Sequence, residues 1–292
     1  MNILSVVILY HPDLKHLQKN IDAFLQYTSH LIIWDNSPIQ EMHENSRFCY
    51  QHYPDSTYIG TGENNGISAA LNYAWRFAQE KNYDTLLTMD QDSLFVDFGT
   101  YKKRIEQKWS HDGICLCGPT PNLHLNKNLK EGFSGMPDII TSGMLVPVSL
   151  LNQCGGYCKG FLVDGIDIEL CYHLRENGYK IYRDNESNLI QQFGHSLSKR
   201  IYGITVHAHG YSSDRLYHIF RNHLMIWRKY GHPVCLLKKI LYDYFLKMAL
   251  LGILFVENDK GEKLKAVFSG LRDGIKNQNL ILSEPTDSIK IE

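Results

Sequence analysis

The chain has 292 residues, 43% of them hydrophobic and 21% charged, a composition that excludes the low-hydrophobicity, high-charge regime of disordered chains. Thirty basic side chains against 31 acidic ones leave a net charge of -1, so no electrostatic argument points to nucleic acid as a partner. The length suits one α/β domain carrying an appendage.

Residues 3 to 10, ILSVVILY, form a continuous apolar run of strand length. After Pro12 come Leu14, Leu17, Ile21 and Phe24 at helical spacing, so a strand feeds a helix. LIIWDN (31 to 36) predicts a second strand, the stripe Ile67, Ala70, Leu71, Ala74, Phe77 and Ala78 a second helix, and DTLLTMD a third strand. This βαβαβ order implies a parallel sheet flanked by helices, with ligands beyond the carboxyl ends of the strands, where Asp35, Asp90 and Asp92 stand. Further on, YKKRIEQKW (101 to 109) reads as a polar helix and ICLCGP as a short strand. A strand is expected within 139 to 147, and a helix from about Asp167 to Asn177 that stops at Gly178, the residue type that closes helices with a left-handed cap. The expected division is a domain over 1–212 and a helical extension over 213–292 packing on it.

Seven cysteines, an odd number scattered from 49 to 235, do not make the paired framework of a small secreted domain, and reduced, mostly buried thiols fit best. The N-terminal segment lacks a basic leader and a small-residue cleavage site and reads as a strand. No run reaches the roughly 18 apolar residues of a membrane span. Residues 236 to 256 do pattern as an amphipathic helix with lysines and aromatics, suited either to a membrane interface or to packing on its own domain.

TLLTMDQDSLFV (85 to 96) holds two carboxylates one residue apart at the end of an apolar run. On a loop leaving a strand, Asp90 and Asp92 can present oxygens to one hard divalent cation, Mg2+ or Mn2+, which shares such ligands with phosphates. Asp-Gln-Asp-Ser is also good turn chemistry.

The pieces VVILYHP (6 to 12), IIWDNS (32 to 37), NNGISAALNYA (64 to 74), LLTMDQDS (86 to 93), TSGMLVP (141 to 147), FLVDGIDIELCYHLRENGYKI (161 to 181), GHS (194 to 196) and RLYHIFRNHLMIWRKYG (215 to 231) follow in order along the chain. Together they resemble the family 2 glycosyltransferases of the GT-A fold, and within them the rhamnosyltransferase-like branch. The resemblance implies a mixed sheet flanked by helices, and an inverting, metal-dependent transfer of a sugar from a nucleotide diphosphate to an acceptor hydroxyl. By the same resemblance Asp92 is the direct ligand of Mg2+ or Mn2+, Asp90 lies nearer the sugar and ribose, and His195 completes the metal site. Asp167, eleven residues before Gly178, takes the place of the general base, although Ile166 stands where the family often has Glu. Asp164 and Glu169 are its acceptor-side competitors, and helix capping is the alternative role for Asp164 or Asp167. Asp35 would accept the N3-H of uracil or thymine in a slot lined by Leu9, Tyr10 and Pro12. Asn65 and Gly66 would bring backbone N-H groups to phosphate or ribose. Arg221, in the branch's Arg-Asn signature, would grip diphosphate, and Ser142 and Gly143 would form an acceptor-side turn. The branch suggests rhamnose from a dTDP- or UDP-linked donor and a polysaccharide or lipid-linked oligosaccharide acceptor, with the protein in the cytoplasm and peripheral at the inner face of the membrane. Two other readings are a nucleotidyltransferase, for which a Gly-rich, Lys-containing activation segment is missing, and a non-catalytic nucleotide-sugar-binding subunit, which has no need of a base.

Overall fold

The computed structural model describes residues 1–125, 129–191, 197–201 and 203–276. The chain divides into two compact units, 1–157 with 170–191, and 158–169 with 192–292.

In the first unit the strands β1 (Ile3–Leu9), β2 (His30–Asp35), β3 (Thr57–Gly60) and β4 (Thr85–Asp90) run parallel in the order β3-β2-β1-β4. They are linked by α1 (Leu14–Phe24), α2 (Ile39–His52) and α3 (Ile67–Glu80). Beyond β4 the sheet becomes mixed. Strand β8 (Met144–Pro147) pairs antiparallel with β4, then β6 (Leu116–Pro121), β9 (Ile181–Gln191) and β5 (Ser93–Phe95) follow, and β7 (Phe133–Gly135) pairs with β9. The opening strands read as near-continuous apolar runs because both faces are covered: all seven residues of β1 are buried. Asp13 caps α1, accepting from the N-H groups of Lys15 and His16, and Asp97 caps α4 (Phe98–Asp112) through Thr100. One core joins Val7, Leu9, Leu17, Ile33, Leu87, Phe98 and Tyr101. Helix α5 (Val148–Cys154) closes on left-handed Gly155, and α6 (Ile166–Glu176) ends before Gly178, at φ +82°.

The second unit holds the loop before α6, a hairpin of β10 (Leu197–Ile201) and β11 (Ile204–Ala208), and the helices α7 (Ser213–Lys229), α8 (Val234–Lys238) and α9 (Lys260–Lys276). Helix α8 runs on into a wide-turned helix, Lys239–Ile253. Its buried residues Met248, Ala249 and Ile253 join Leu216, Ile219 and Phe220 of α7 and Val267 of α9 in a second core. Gly270 and Gly274 let α9 lie directly on α7: a Cβ would stand 2.5 Å from the Tyr217 carbonyl at the first and 2.8 Å from that of Arg221 at the second. The division differs from the boundary expected at residue 212, because the loop 158–169 is fastened to α7. Asn222 donates to the carbonyls of Val163 and Asp164, and a Cβ on Gly165 would meet Ile226 at 3.2 Å.

Several elements are not in the sequence reading, three of them in the main sheet region. Helix α2 and strand β3 complete the parallel half, and β9 crosses the sheet although IYRDNESNLIQ shows no apolar alternation. The one charged residue buried on β9 is paired: Asp184 is fully buried, and Arg104 forks onto it at 2.8 and 2.9 Å. The cysteines are free thiols; Cys115 and Cys117 lie buried with sulfurs 3.6 Å apart.

Candidate active site

Strand β4 ends at Asp90, and Gln91 and Asp92 form the turn into β5. Asp92 is exposed and Asp90 half-buried. Three elements reach Asp90 with neutral groups. Its N-H donates to Ser142 Oγ at 3.1 Å, its carbonyl accepts from Asn20 of α1 at 2.7 Å, and its carboxylate accepts from Gln191 Nε2 at 3.0 Å. Ser142 Oγ in turn donates to Ser93 Oγ at 2.7 Å. Gln91 ties the turn to the end of β1: its Oε1 accepts the Tyr10 N-H at 2.7 Å and its Nε2 donates to the Tyr10 carbonyl at 2.8 Å. The two carboxylates are oxygen donors of the kind a hard divalent cation takes one or two of, the rest coming from phosphate and water, so the residues fit such an ion. Among the described residues no group of three or more His, Cys, Asp or Glu side chains comes together as a metal site.

In the second unit the loop before α6 carries three acids with different surroundings. Asp164, at φ +53°, takes a fork from Arg215, at 3.0 and 3.1 Å. Glu169 is buried and accepts from Lys229 Nζ at 2.8 Å and the Tyr230 hydroxyl at 2.6 Å. Asp167 lies half-buried in the first turn of α6, with Oδ1 accepting the Ile168 N-H at 2.8 Å, a place where helix N-H groups favour an ionised carboxylate. Arg221 is 9% exposed. Its Nε donates to Asn222 Oδ1 at 2.8 Å, one terminal nitrogen reaches the Gly160 carbonyl at 3.3 Å, and the guanidinium lies 5.4 Å from the Tyr217 ring centre. No carboxylate among the described residues pairs with it.

The comparisons with known proteins agree with this architecture. No family model matches the sequence. The dTDP-rhamnosyl transferase RfbF of Shigella flexneri is 22% identical over 305 aligned residues, covering 94% of this chain and 96% of the relative. The chain has the GT-A fold, and the likeness to RfbF supports a glycosyltransferase of the rhamnosyltransferase type. Solved structures share the fold. The mannosyltransferase PcManGT from Pyrobaculum calidifontis, in complex with GDP-Man and Mn2+, superposes with a TM-score of 0.58 at 16% identity over 94% of this chain and 75% of its own. TarS 1-349 of S. aureus, in complex with UDP-GlcNAc, gives 0.55 at 12% identity over 96% and 82%. GalNAc-T7 with UDP, GalNAc and Mn2+ gives 0.57 at 11% over 78% of this chain, which spans about half, 48%, of that one.

Several residues of this glycosyltransferase stand otherwise than the motifs suggested. Asp35, expected to take a nucleobase N-H, is 1% exposed and already accepts from the Ser37 N-H, Asn45 Nδ2 and the Tyr58 hydroxyl at 2.7, 2.8 and 2.6 Å. Burial and the Asp35 carboxylate together raise the Tyr58 pKa, so its hydroxyl remains a donor. Ser37 Oγ accepts the His11 N-H, so Asp35 anchors the loop after β1 from beneath. Leu9 is fully buried in the core, whereas Tyr10 is 49% exposed and Pro12 partly so. Ser142, expected on the acceptor side, is fully buried under Asp90, and Gly143, at φ +81°, is required by close packing, since a Cβ would stand 2.6 Å from Pro119. Asn65 N-H and the Trp34 indole both donate to Asn36 Oδ1, while the Gly66 N-H is spent on Asn64 Oδ1. Those bonds build the turn into α3 and leave Gly66 no N-H for phosphate. His195 lies outside the described residues. Gln91, Gln191, Asn20 and Ser93 escaped the sequence reading; only Gln91 and Ser93 carried a signal, by flanking the two aspartates.

Proposed function

We propose that the protein is an inverting, metal-dependent transferase that moves rhamnose from a dTDP-linked donor to a hydroxyl of a saccharide or lipid-linked acceptor. The observation that carries the reading is the contrast among the acids of the loop before α6. Asp164 and Glu169 each pair with a cation, and Asp167 stands in the first turn of α6 with its Oδ1 on the Ile168 N-H. Asp167 is the group that takes the proton of the attacking hydroxyl; a base so placed contributes about 10²- to 10⁴-fold. The RfbF likeness over nearly the whole of both chains supports the choice of donor.

Asp92, with Asp90 beside it, would hold Mg2+ or Mn2+, and His195 is the further ligand. The ion supplies neutralisation of the departing diphosphate. Arg221 contacts a phosphoryl group: a buried guanidinium without a carboxylate costs several kcal/mol unless an anion compensates it. Tyr10 and Pro12 line the nucleobase side of the site, with Asp35 acting through the loop it anchors.

Calorimetric titration with thymidine, uridine and guanosine diphosphates, with Mn2+ and then with chelator, tests the donor assignment. Thymidine diphosphate binding that is lost on chelation and weakened at least about tenfold by Asp92→Ala is expected. Binding indifferent to both chelator and substitution would overturn the assignment of the metal to Asp92.

The wide-turned helix and the two residues after it also present Leu241, Tyr242, Leu246, Leu251, Leu254 and Phe255 at 37 to 56% exposure, with exposed Lys238 at the end of α8 and Lys247 on the helix itself. No helix among the described residues is long and apolar enough to cross a membrane. The face suits peripheral contact with an anionic bilayer. Cosedimentation with phosphatidylglycerol vesicles should fall when Leu241 and Leu254 are both changed to Glu, and equal sedimentation would refute the contact.

A further inference from the structure

The Gln191 carboxamide is arranged for Asp90 at its own expense. Its Nε2 donates to Asp90 Oδ2 at 3.0 Å, while its Oε1 is buried without a donor among the described residues. Leaving a buried carbonyl oxygen unsatisfied has a cost of its own. Turning the amide over would not relieve it, because the oxygen would then face the carboxylate. The backbone of the same residue is pinned independently. Asn122 accepts the Gln191 N-H at 3.1 Å and donates to its carbonyl at 2.8 Å, and Ser93 of β5 lies opposite it in register. The end of β9 is therefore a fixed post from which one N-H points at one carboxylate oxygen. Asn20 repeats the pattern on the other side. It is fully buried, its Nδ2 is spent on the Asp90 carbonyl, and its Oδ1 too lacks a donor.

We propose that Gln191 is a positioning residue of the donor site, fixing the Asp90 carboxylate by a hydrogen bond from the end of β9 that itself brings no positive charge to it. This rests on the reading of Asp90 as a donor-sugar contact. A lysine or arginine in this position would hold the carboxylate equally well and cancel the charge that the site needs. A carboxamide gives geometry without neutralisation.

The test compares Gln191→Met, Gln191→Glu and Asp90→Ala in the full-length protein, with donor KM and kcat measured separately and with the same two Gln191 substitutions repeated on an Asp90→Asn background. Gln191→Met should raise donor KM by about tenfold or more, the range for losing one hydrogen bond to a charged group. Gln191→Glu, nearly the same shape, should be worse than Gln191→Met, because it sets carboxylate against carboxylate, and its excess penalty should vanish on the Asp90→Asn background. A role in packing alone predicts the reverse order, with Glu close to wild type and no dependence on the residue at 90; that result would overturn the proposal. Melting temperatures of the same variants separate a folding defect from loss of donor affinity, and the double-substitution comparison holds whatever the stability of each single variant. If Asp90→Ala leaves donor KM unchanged, the donor-site reading itself fails and the proposal falls with it. If Asp90→Ala raises KM while the Gln191 variants do not, only the proposal fails.

Discussion

Asp90 of the first unit and the acids Asp164 and Glu169 of the second are held in opposite ways. In the first, the Asp90 carboxylate accepts from the neutral carboxamide of Gln191. In the second, Asp164 is held by Arg215 and Glu169 by Lys229, both cations. Neutral donors orient a carboxylate and leave its charge available to a cation; a salt bridge orients it and consumes the charge. In the proposed reading the same side-chain type serves chemistry at Asp90 and Asp167 and architecture at Asp164 and Glu169.

The comparison can be broken most severely at Asp167. Asp167→Asn should lower transfer by at least about 10²-fold while nucleotide-diphosphate binding, measured calorimetrically, stays within a factor of about three. Unimpaired turnover would return Asp167 to the role of a helix-terminal acid. A smaller effect, on stability instead of turnover, sharpens the other side. Glu169→Ala leaves Lys229 and the Tyr230 hydroxyl without their acceptor and should cost about 2 to 4 kcal/mol in denaturant unfolding, at the lower end because Lys229 keeps partial access to water. Arg221→Met should do the opposite. The melting temperature should hold or rise, since an uncompensated buried charge is removed, while affinity for inorganic pyrophosphate drops about tenfold or more. A fall in melting temperature with pyrophosphate binding intact would make Arg221 a structural residue.

Much of the first unit could be read from residues alone. The apolar runs of β1, β2 and β4 and the stripes of α1 and α3 declare themselves because each element buries a whole face. What stayed hidden depends on partners distant in sequence. Strand β9 has no apolar alternation to declare it, and its buried Asp184 depends on Arg104, some 80 residues away. The same distance hid the true work of Ser142 and Asp35, whose motifs suggested ligand contacts but whose side chains are turned inward onto Ser93 and Tyr58. Spacing picked out Asp167 as a candidate, since a helix start and a closing glycine are local features. It could not rank Asp167 against Asp164 and Glu169, because the ranking depends on Arg215 and Lys229, far along the chain.

The double bond of Gln91 to the Tyr10 backbone reaches beyond geometry. An exposed residue just past the end of a strand ordinarily exchanges its amide hydrogen quickly with solvent. Here that hydrogen is closed off by the side chain lying between the two aspartates, so the exchange rate of one amide just past β1 is a clock for the order of the loop after β4. A label read at Tyr10 reports, without substrate and without turnover, how often the DQDS loop lets go.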